Sequence, residues 1–151
     1  LEFRRVLFRS GRVYNNAGYL AYIKVLSKQK KHNPFTPKVY GLRYIKDTHG
    51  EEVFVVAMEK LVEMPRSLYN VSSFFEDTLE YTDRNNNDSD AAEKALGIVR
   101  KVPKQLTEAL NILRAAHKEA GGNSRCGASW DLHEGNFMMR GKQVVCTDPL
   151  S

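Results

Sequence analysis

The chain has 151 residues, 42% of them hydrophobic and 27% charged, with a formal net charge of +5 at pH 7. That is one domain's worth, long enough to bury a core, and no run of it resembles a membrane span or a signal peptide. Residues 1–10 hold three Arg and one Glu, which is +2 of the charge, so the remainder carries +3. That is too mild to argue for a nucleic-acid partner.

Leu1-Glu2-Phe3-Arg4-Arg5-Val6-Leu7-Phe8-Arg9-Ser10 resembles translated cloning and sequencing-adapter DNA, and residues 1–10 are set aside as a non-native scar. Asn15 to Lys31 has helical spacing, with Asn15 or Asn16 as the N-cap and Ala17, Leu20, Tyr19 and Tyr22 on the apolar face. Lys28-Gln29-Lys30-Lys31 then reads as a solvated helix end, where cations suit the dipole. Asn33-Pro34 and Pro37 stop the helix. Lys38 to Ile45 reads as a strand, Asp47-Thr48-His49-Gly50 as a hairpin turn, and Glu52 to Met58 as a second strand. Pro65 and Ser67 open a helix running to about Leu79. The polar stretch 83–89 reads as a loop, and Asp90 caps a helix carrying Ala92, Leu96 and Val99, interrupted at Pro103. A longer helix follows, with Leu106, Leu110, Leu113 and His117 on one face, and Gly121-Gly122 ends it. Phe137 to Met139 and Gln143 to Cys146 read as two short strands around the turn Arg140-Gly141-Lys142.

The two cysteines, Cys126 and Cys146, make neither a metal set nor a disulfide framework. They read as reduced thiols of a cytosolic protein, with Cys146 a small core residue.

The chemistry lies near the C-terminal end, in Ser129-Trp130-Asp131-Leu132-His133-Glu134-Gly135-Asn136 and in Thr147-Asp148-Pro149. In phosphoryl transfer one Asp orients and deprotonates an attacking hydroxyl, while an Asn and a second Asp hold Mg²⁺ against the nucleotide phosphates. Asp131, Asn136 and Asp148 have the residue types and the order for those roles. Singly, each also fits a turn or a cap.

Asp131-Leu132-His133-Glu134-Gly135-Asn136 resembles the Asp-Leu-His-x-Gly-Asn signature of the aminoglycoside and choline kinase branch of the protein-kinase-like fold, and compact kinase-like proteins of bacteriophages are similar. The order of elements agrees from about Asn15 to Asp148. The resemblance implies an α+β, protein-kinase-like chain. Residues 11–61 would be the remnant of an N-terminal lobe (a helix plus antiparallel strands) with its hinge. Residues 62–151 would be a truncated, mainly helical C-terminal lobe with a catalytic-loop hairpin. It implies an ATP- and Mg²⁺-dependent phosphotransferase acting on a hydroxyl-bearing acceptor, protein or small molecule. Asp131 would be the catalytic base, Asn136 and Asp148 the metal ligands, and Glu59 and Leu61 the hinge meeting the adenine, with Met58 guarding it. His133 and Trp130 would support the loop.

Some departures from the family pattern weaken catalysis. Ser129 stands where the family has a loop-bracing His, and Pro149-Leu150 follows the second Asp in place of Phe-Gly. The Asn15–Lys31 helix has no Asp or Glu to pair with a strand Lys, and neither that Lys nor a glycine-rich loop precedes it. A catalytically inactive pseudokinase is therefore the alternative, and a metal-dependent hydrolase using Asp131, His133 and Asp148 is a second. Glu63, Glu76, Asp77 and Glu80 suit either a cationic acceptor or an exposed helix face.

Overall fold

Asp47 builds the first hairpin. Its Oδ1 accepts the amides of His49 (2.8 Å) and Glu51 (2.9 Å), and Gly50 supplies the left-handed residue at φ 77°, a conformation glycine adopts without a Cβ clash. The flanking strands are β2 (Val39–Lys46) and β3 (Glu52–Glu59), antiparallel, with Lys46 opposite Glu52 and a bulge between Val39 and Gly41. A third strand, β1 (Val6–Arg12), pairs along the other edge of β3, from Val6 opposite Glu59 to Arg12 opposite Val53. The order is β1-β3-β2. From Val53 to Met58 the side chains of β3 alternate between faces, and Phe54, Val56 and Met58 are buried. Residues 6–10, set aside on the sequence, thus belong to the first sheet.

The computed structural model describes residues 6–84, 104–122 and 124–151. Within them the chain is α+β, with two three-stranded antiparallel sheets. No helix among the described residues is long and apolar enough to cross a membrane. Of the expected loop 83–89, residues 83 and 84 belong instead to the helix Asn70–Arg84, which runs past the expected end near Leu79; the rest of that loop and the helix capped by Asp90 lie outside the described residues.

Helix α1 (Ala17–Ser27) connects the two halves. Every residue from Gly18 to Ile23 is buried, which one amphipathic stripe cannot produce. Tyr19, Leu20 and Ile23 pack on Phe54, Val56 and Met58 of the first sheet. Tyr22 faces the other way, into a cluster with Leu110, Leu113, Phe137 and Cys146. Its hydroxyl donates to the Cys146 carbonyl at 2.7 Å, and burial holds its pKa well above the ordinary phenol value. The helix ends before the predicted Lys31. Asn16 occupies the N-cap position without capping, because its Nδ2 donates to the Arg12 carbonyl at 2.8 Å.

The second half is built on α2 (Asn70–Arg84) and α3 (Lys104–Glu119). Leu106, Leu110, Leu113 and His117 of α3 are buried, on the face the spacing predicts. Gly121 (φ 69°) ends the helix, and the Gly122 amide donates to the His117 carbonyl at 2.9 Å. The second sheet is β4 (Val62–Glu63), β5 (Phe137–Arg140) and β6 (Gln143–Cys146), in that order.

One ion pair ties the sheets together. Arg140 of β5 donates from both Nε (3.0 Å) and Nη2 to the carboxylate of Glu59, at the end of β3. Its Nη1 reaches the Pro34 carbonyl at 2.9 Å and its Nη2 the Thr36 carbonyl at 3.1 Å. Burial pushes the Glu59 pKa up. Arg140 and the Lys38 amide outweigh it, and the net direction is downward. The carboxylate therefore stabilises the fold above its ordinary pKa of about 4.3, and that stability is lost as pH falls through the depressed value. We expect Arg140→Met, which strands the Glu59 carboxylate, to cost about 3 kcal/mol in urea unfolding at pH 7. The difference from the parent should shrink as the pH falls from the ordinary carboxylate range through the depressed value, where Glu59 takes up a proton.

Candidate active-site cleft

Three backbone bonds place the two catalytic candidates side by side. The Ser129 amide donates to the Ser151 carbonyl (2.9 Å), the Ser151 amide to the Ser129 carbonyl (3.0 Å), and the Asp131 amide to the Pro149 carbonyl (2.8 Å). Trp130 and Leu150 face each other in this short antiparallel bridge. Asp131 and Asp148 therefore line one cleft of about 310 Å³, together with Asn15, Asn16, Tyr19 and the exposed Cys126. Gly18 lets α1 approach this closely. A Cβ there would lie 2.9 Å from the Leu150 Cβ and 3.0 Å from the Ala128 Cβ.

The bridge is braced from behind. Trp130 stacks on His117 of α3, ring centroids 4.3 Å apart at 24°. A Cβ at Gly122 would fall 2.0 Å from His117 Nε2, so the glycine pair that stops α3 also clears space for this ring. Trp130 is a packing residue, and the brace comes from an adjacent position, not from Ser129.

The loop after Asp131 is held by its own side chains. Asn136 Nδ2 donates to the Asp131 carbonyl at 2.7 Å, and its carbonyl accepts both the amide and the hydroxyl of Thr147, each at 2.9 Å. Asn136 thereby links the Asp131 loop to the end of β6. Its Oδ1 accepts no hydrogen bond from the described residues. His133 Nδ1 accepts the Gly135 amide at 3.0 Å, capping the turn Glu134–Asn136, while Nε2 lies 3.6 Å from Asp131 Oδ1. His133 thus holds the turn that follows it.

Asp148 is the site's electrostatic centre. Burial raises its pKa, and Asp131 adds to the rise against the opposing charge of Arg9. Oδ2 accepts Arg9 Nη2 at 2.8 Å, and Oδ1 is buried with no partner. The Arg9 guanidinium also lies 3.9 Å over the Tyr19 ring, and the Tyr19 hydroxyl donates to Met58 Sδ at 3.3 Å. A strand cation therefore does precede α1, and the sequence reading missed it because residues 1–10 were set aside. Tyr19, an aromatic and not an acid, is what α1 presents to it.

The predicted hinge residues lie apart from this cleft. Met58 and Leu61 are buried and do not line it. The Glu59 carboxylate is taken by Arg140 and the Lys38 amide, and its own amide donates to the Lys38 carbonyl at 3.0 Å. Cys126 and Cys146 are free thiols, and burial pushes the Cys146 thiol far up.

The donor set suits a hard cation. Asp148 Oδ1 is a buried carboxylate oxygen without a partner, and Asn136 Oδ1 and the Asp131 carboxylate are oxygen donors of the same kind. Among the described residues no group of three or more His, Cys, Asp or Glu side chains could hold a metal by itself. A cation that needs no all-protein cage is Mg²⁺, which keeps several waters and borrows substrate phosphates. No family model, no curated protein and no solved structure matches the chain.

A Cβ at Gly135 would lie 2.7 Å from His133 Cε1 and 2.9 Å from its Nδ1. We expect Gly135→Ala to cost about 1–3 kcal/mol by overpacking this turn. The same change in a His133→Ala background should cost much less, and a double-mutant cycle in urea unfolding measures the difference.

Proposed function

We propose that the chain is a protein-kinase-like phosphotransferase unit that binds ATP with Mg²⁺ and directs the γ-phosphate to a hydroxyl acceptor. The observation that carries this reading is the cleft in which the bridge between residues 129–131 and 149–151 holds Asp131 beside Asp148, with Asn136 tied to the Asp131 carbonyl. The order of elements supports it too: strand, helix, two strands, a short linker, helices, then the Asp131 loop and the β5–β6 hairpin. On this reading residues 11–61, extended at the front by β1, form the N-terminal unit, and residues 62–151 the catalytic one. The protein would work in the cytoplasm.

Mg²⁺ would supply charge neutralisation on the phosphates. Asp148 and Asn136 would hold it through their carboxylate and amide oxygens. Asp131 would receive the acceptor proton, oriented by its amide's bond to Pro149 and by His133. Arg9 is placed to meet phosphate oxygens when it leaves Asp148. Met58, Glu59 and Leu61 would border the adenine. Glu59 would do so through its backbone carbonyl, its side chain and amide being engaged.

A specific observation favours a second reading, a pseudokinase that binds nucleotide without turnover. Arg9 closes on one oxygen of Asp148, and α1 offers Tyr19 in place of an acid to draw it away.

We expect Mg²⁺-ATP to raise the thermal midpoint of the full chain, and Asp148→Asn to abolish that rise without altering the unliganded midpoint by more than a few degrees. Asp131→Asn should keep the rise. If the chain is a kinase, it should lower γ-phosphate release to water or a hydroxyl acceptor by about 10²–10⁴-fold. Binding without release in the parent would select the pseudokinase. No midpoint shift in the parent would remove both readings.

A further inference from the structure

A groove of about 610 Å³ runs between the turn after α1 and the outer side of α3, sharing no lining residue with the Asp131–Asp148 cleft. Lys28, Lys30, Lys31 and His32 line one wall, and Gln105 and Asn111 face them from α3. The acidic lining residue, Glu108, is held by Lys104 at 3.7 Å. Among the described residues Lys28, Lys30 and Lys31 make no ion pair, and all three are exposed.

The dipole of α1 explains only part of this cluster. Cations suit a helix C-terminus within its last turn, which covers Lys24 and Lys28. Lys30 and Lys31 lie beyond the helix, which ends at Ser27. The turn that carries them is fixed from below. The buried Asn33 donates through Nδ2 to the Gln105 carbonyl at 2.8 Å, and its Oδ1 accepts the Phe35 amide at 2.9 Å. The His32 Nε2 meets the Thr36 carbonyl at 2.7 Å. The lysines therefore stand on a preorganised base facing α3.

Among the described residues the groove is lined by no Phe, Tyr or Trp, and the Nε2 of His32, its one ring, is engaged at the Thr36 carbonyl, so a base finds no large ring to stack on. Ammonium groups and neutral amides are donors that suit phosphate oxygens. A lone phosphate needs donors converging on one point, as at a helix N-terminus. Here the helix end is a C-terminus, whose partial negative charge opposes a single anion. Affinity must come from several cations acting on several phosphates along a strand. We propose that this groove binds the phosphodiester backbone of a nucleic-acid strand without reading its sequence. The proposal is independent of the chemistry at Asp131 and Asp148.

The test is fluorescence anisotropy of the full chain with a labelled single-stranded oligonucleotide of about 20 nucleotides across a salt series. The parent should bind with a log–log salt slope near −2, at about 0.7 per neutralised phosphate. Lys28→Gln/Lys30→Gln/Lys31→Gln should lose at least about tenfold in affinity and most of that slope, with an unchanged thermal midpoint. Arg43→Gln/Lys46→Gln/Lys142→Gln removes the same charge from exposed positions outside the groove and should bind like the parent. Equal losses in the two triple variants, or parental binding by the groove variant, would overturn the proposal. So would saturable displacement of the oligonucleotide by millimolar inorganic phosphate, which would mark a single-anion pocket instead.

Discussion

A single helix with apolar partners on both sides holds this structure together. Neither sheet has enough strands or enough apolar area to form a core alone, and α1 lies against both. Its buried run from Gly18 to Ile23 gives Tyr19, Leu20 and Ile23 to the first sheet and Tyr22 to the second cluster. Each large apolar side chain fully buried there contributes about 1.5–3 kcal/mol. The Tyr22 hydroxyl is a polar group of that run carried deep into the interior, and it donates to the Cys146 carbonyl just before Thr147 and Asp148. Packing of α1 and placement of Asp148 are therefore one problem, not two.

The site itself is positioned mostly by backbone. Asp131 and Asp148 are neighbours because residues 129–131 and 149–151 exchange amide bonds, a constraint that side-chain substitution does not easily disturb. Side chains set the details. Asn136 spans from the Asp131 carbonyl to Thr147, and His133 and Gly135 fit against each other so closely that the His-x-Gly pattern is a packing requirement. Glycines elsewhere act in the same way. Gly18 allows α1 to touch Leu150, and Gly122 makes room for the His117 ring that supports Trp130.

The strong local signals were legible in the sequence. Asp47 through Gly50 specified the hairpin, the nearly continuous apolar run from Val53 to Met58 specified β3, the apolar spacing of α3 named its buried face, and the Asp131 loop was visible as a pattern. The rest depends on contacts with no local signature. β4 is two residues long and exists because Val62 and Glu63 meet Met139 and Met138. Beyond the early end of α1 at Ser27, Asn33 reaches across to the Gln105 carbonyl, a contact far along the chain. The Trp130–Leu150 bridge joins two segments that read as loops. Arg9 was lost for a different reason: it lies in the stretch that resembles adapter-encoded sequence, yet residues 6–10 belong to β1 and pair with β3.

Asp148 is a place where the fold is less stable than it could be. A carboxylate with one oxygen buried and unpartnered is a cost to the fold, and the raised pKa of Asp148 has the same physical origin. Arg9 offsets half of that cost by satisfying Oδ2, and Tyr19 supports Arg9 through its ring face. A cation satisfying Oδ1 would offset the other half. Folding and ligand binding would then be linked, because whatever binds the native state alone stabilises it in proportion to its occupancy. Glu59 is the contrast within the same molecule. It too is buried and acidic, but Arg140 and the Lys38 amide satisfy both of its oxygens and its pKa moves down. One carboxylate is completed by the protein and joins the two sheets. The other is left incomplete at the cleft, and on the proposed reading that difference in satisfaction separates a structural carboxylate from one kept for a ligand.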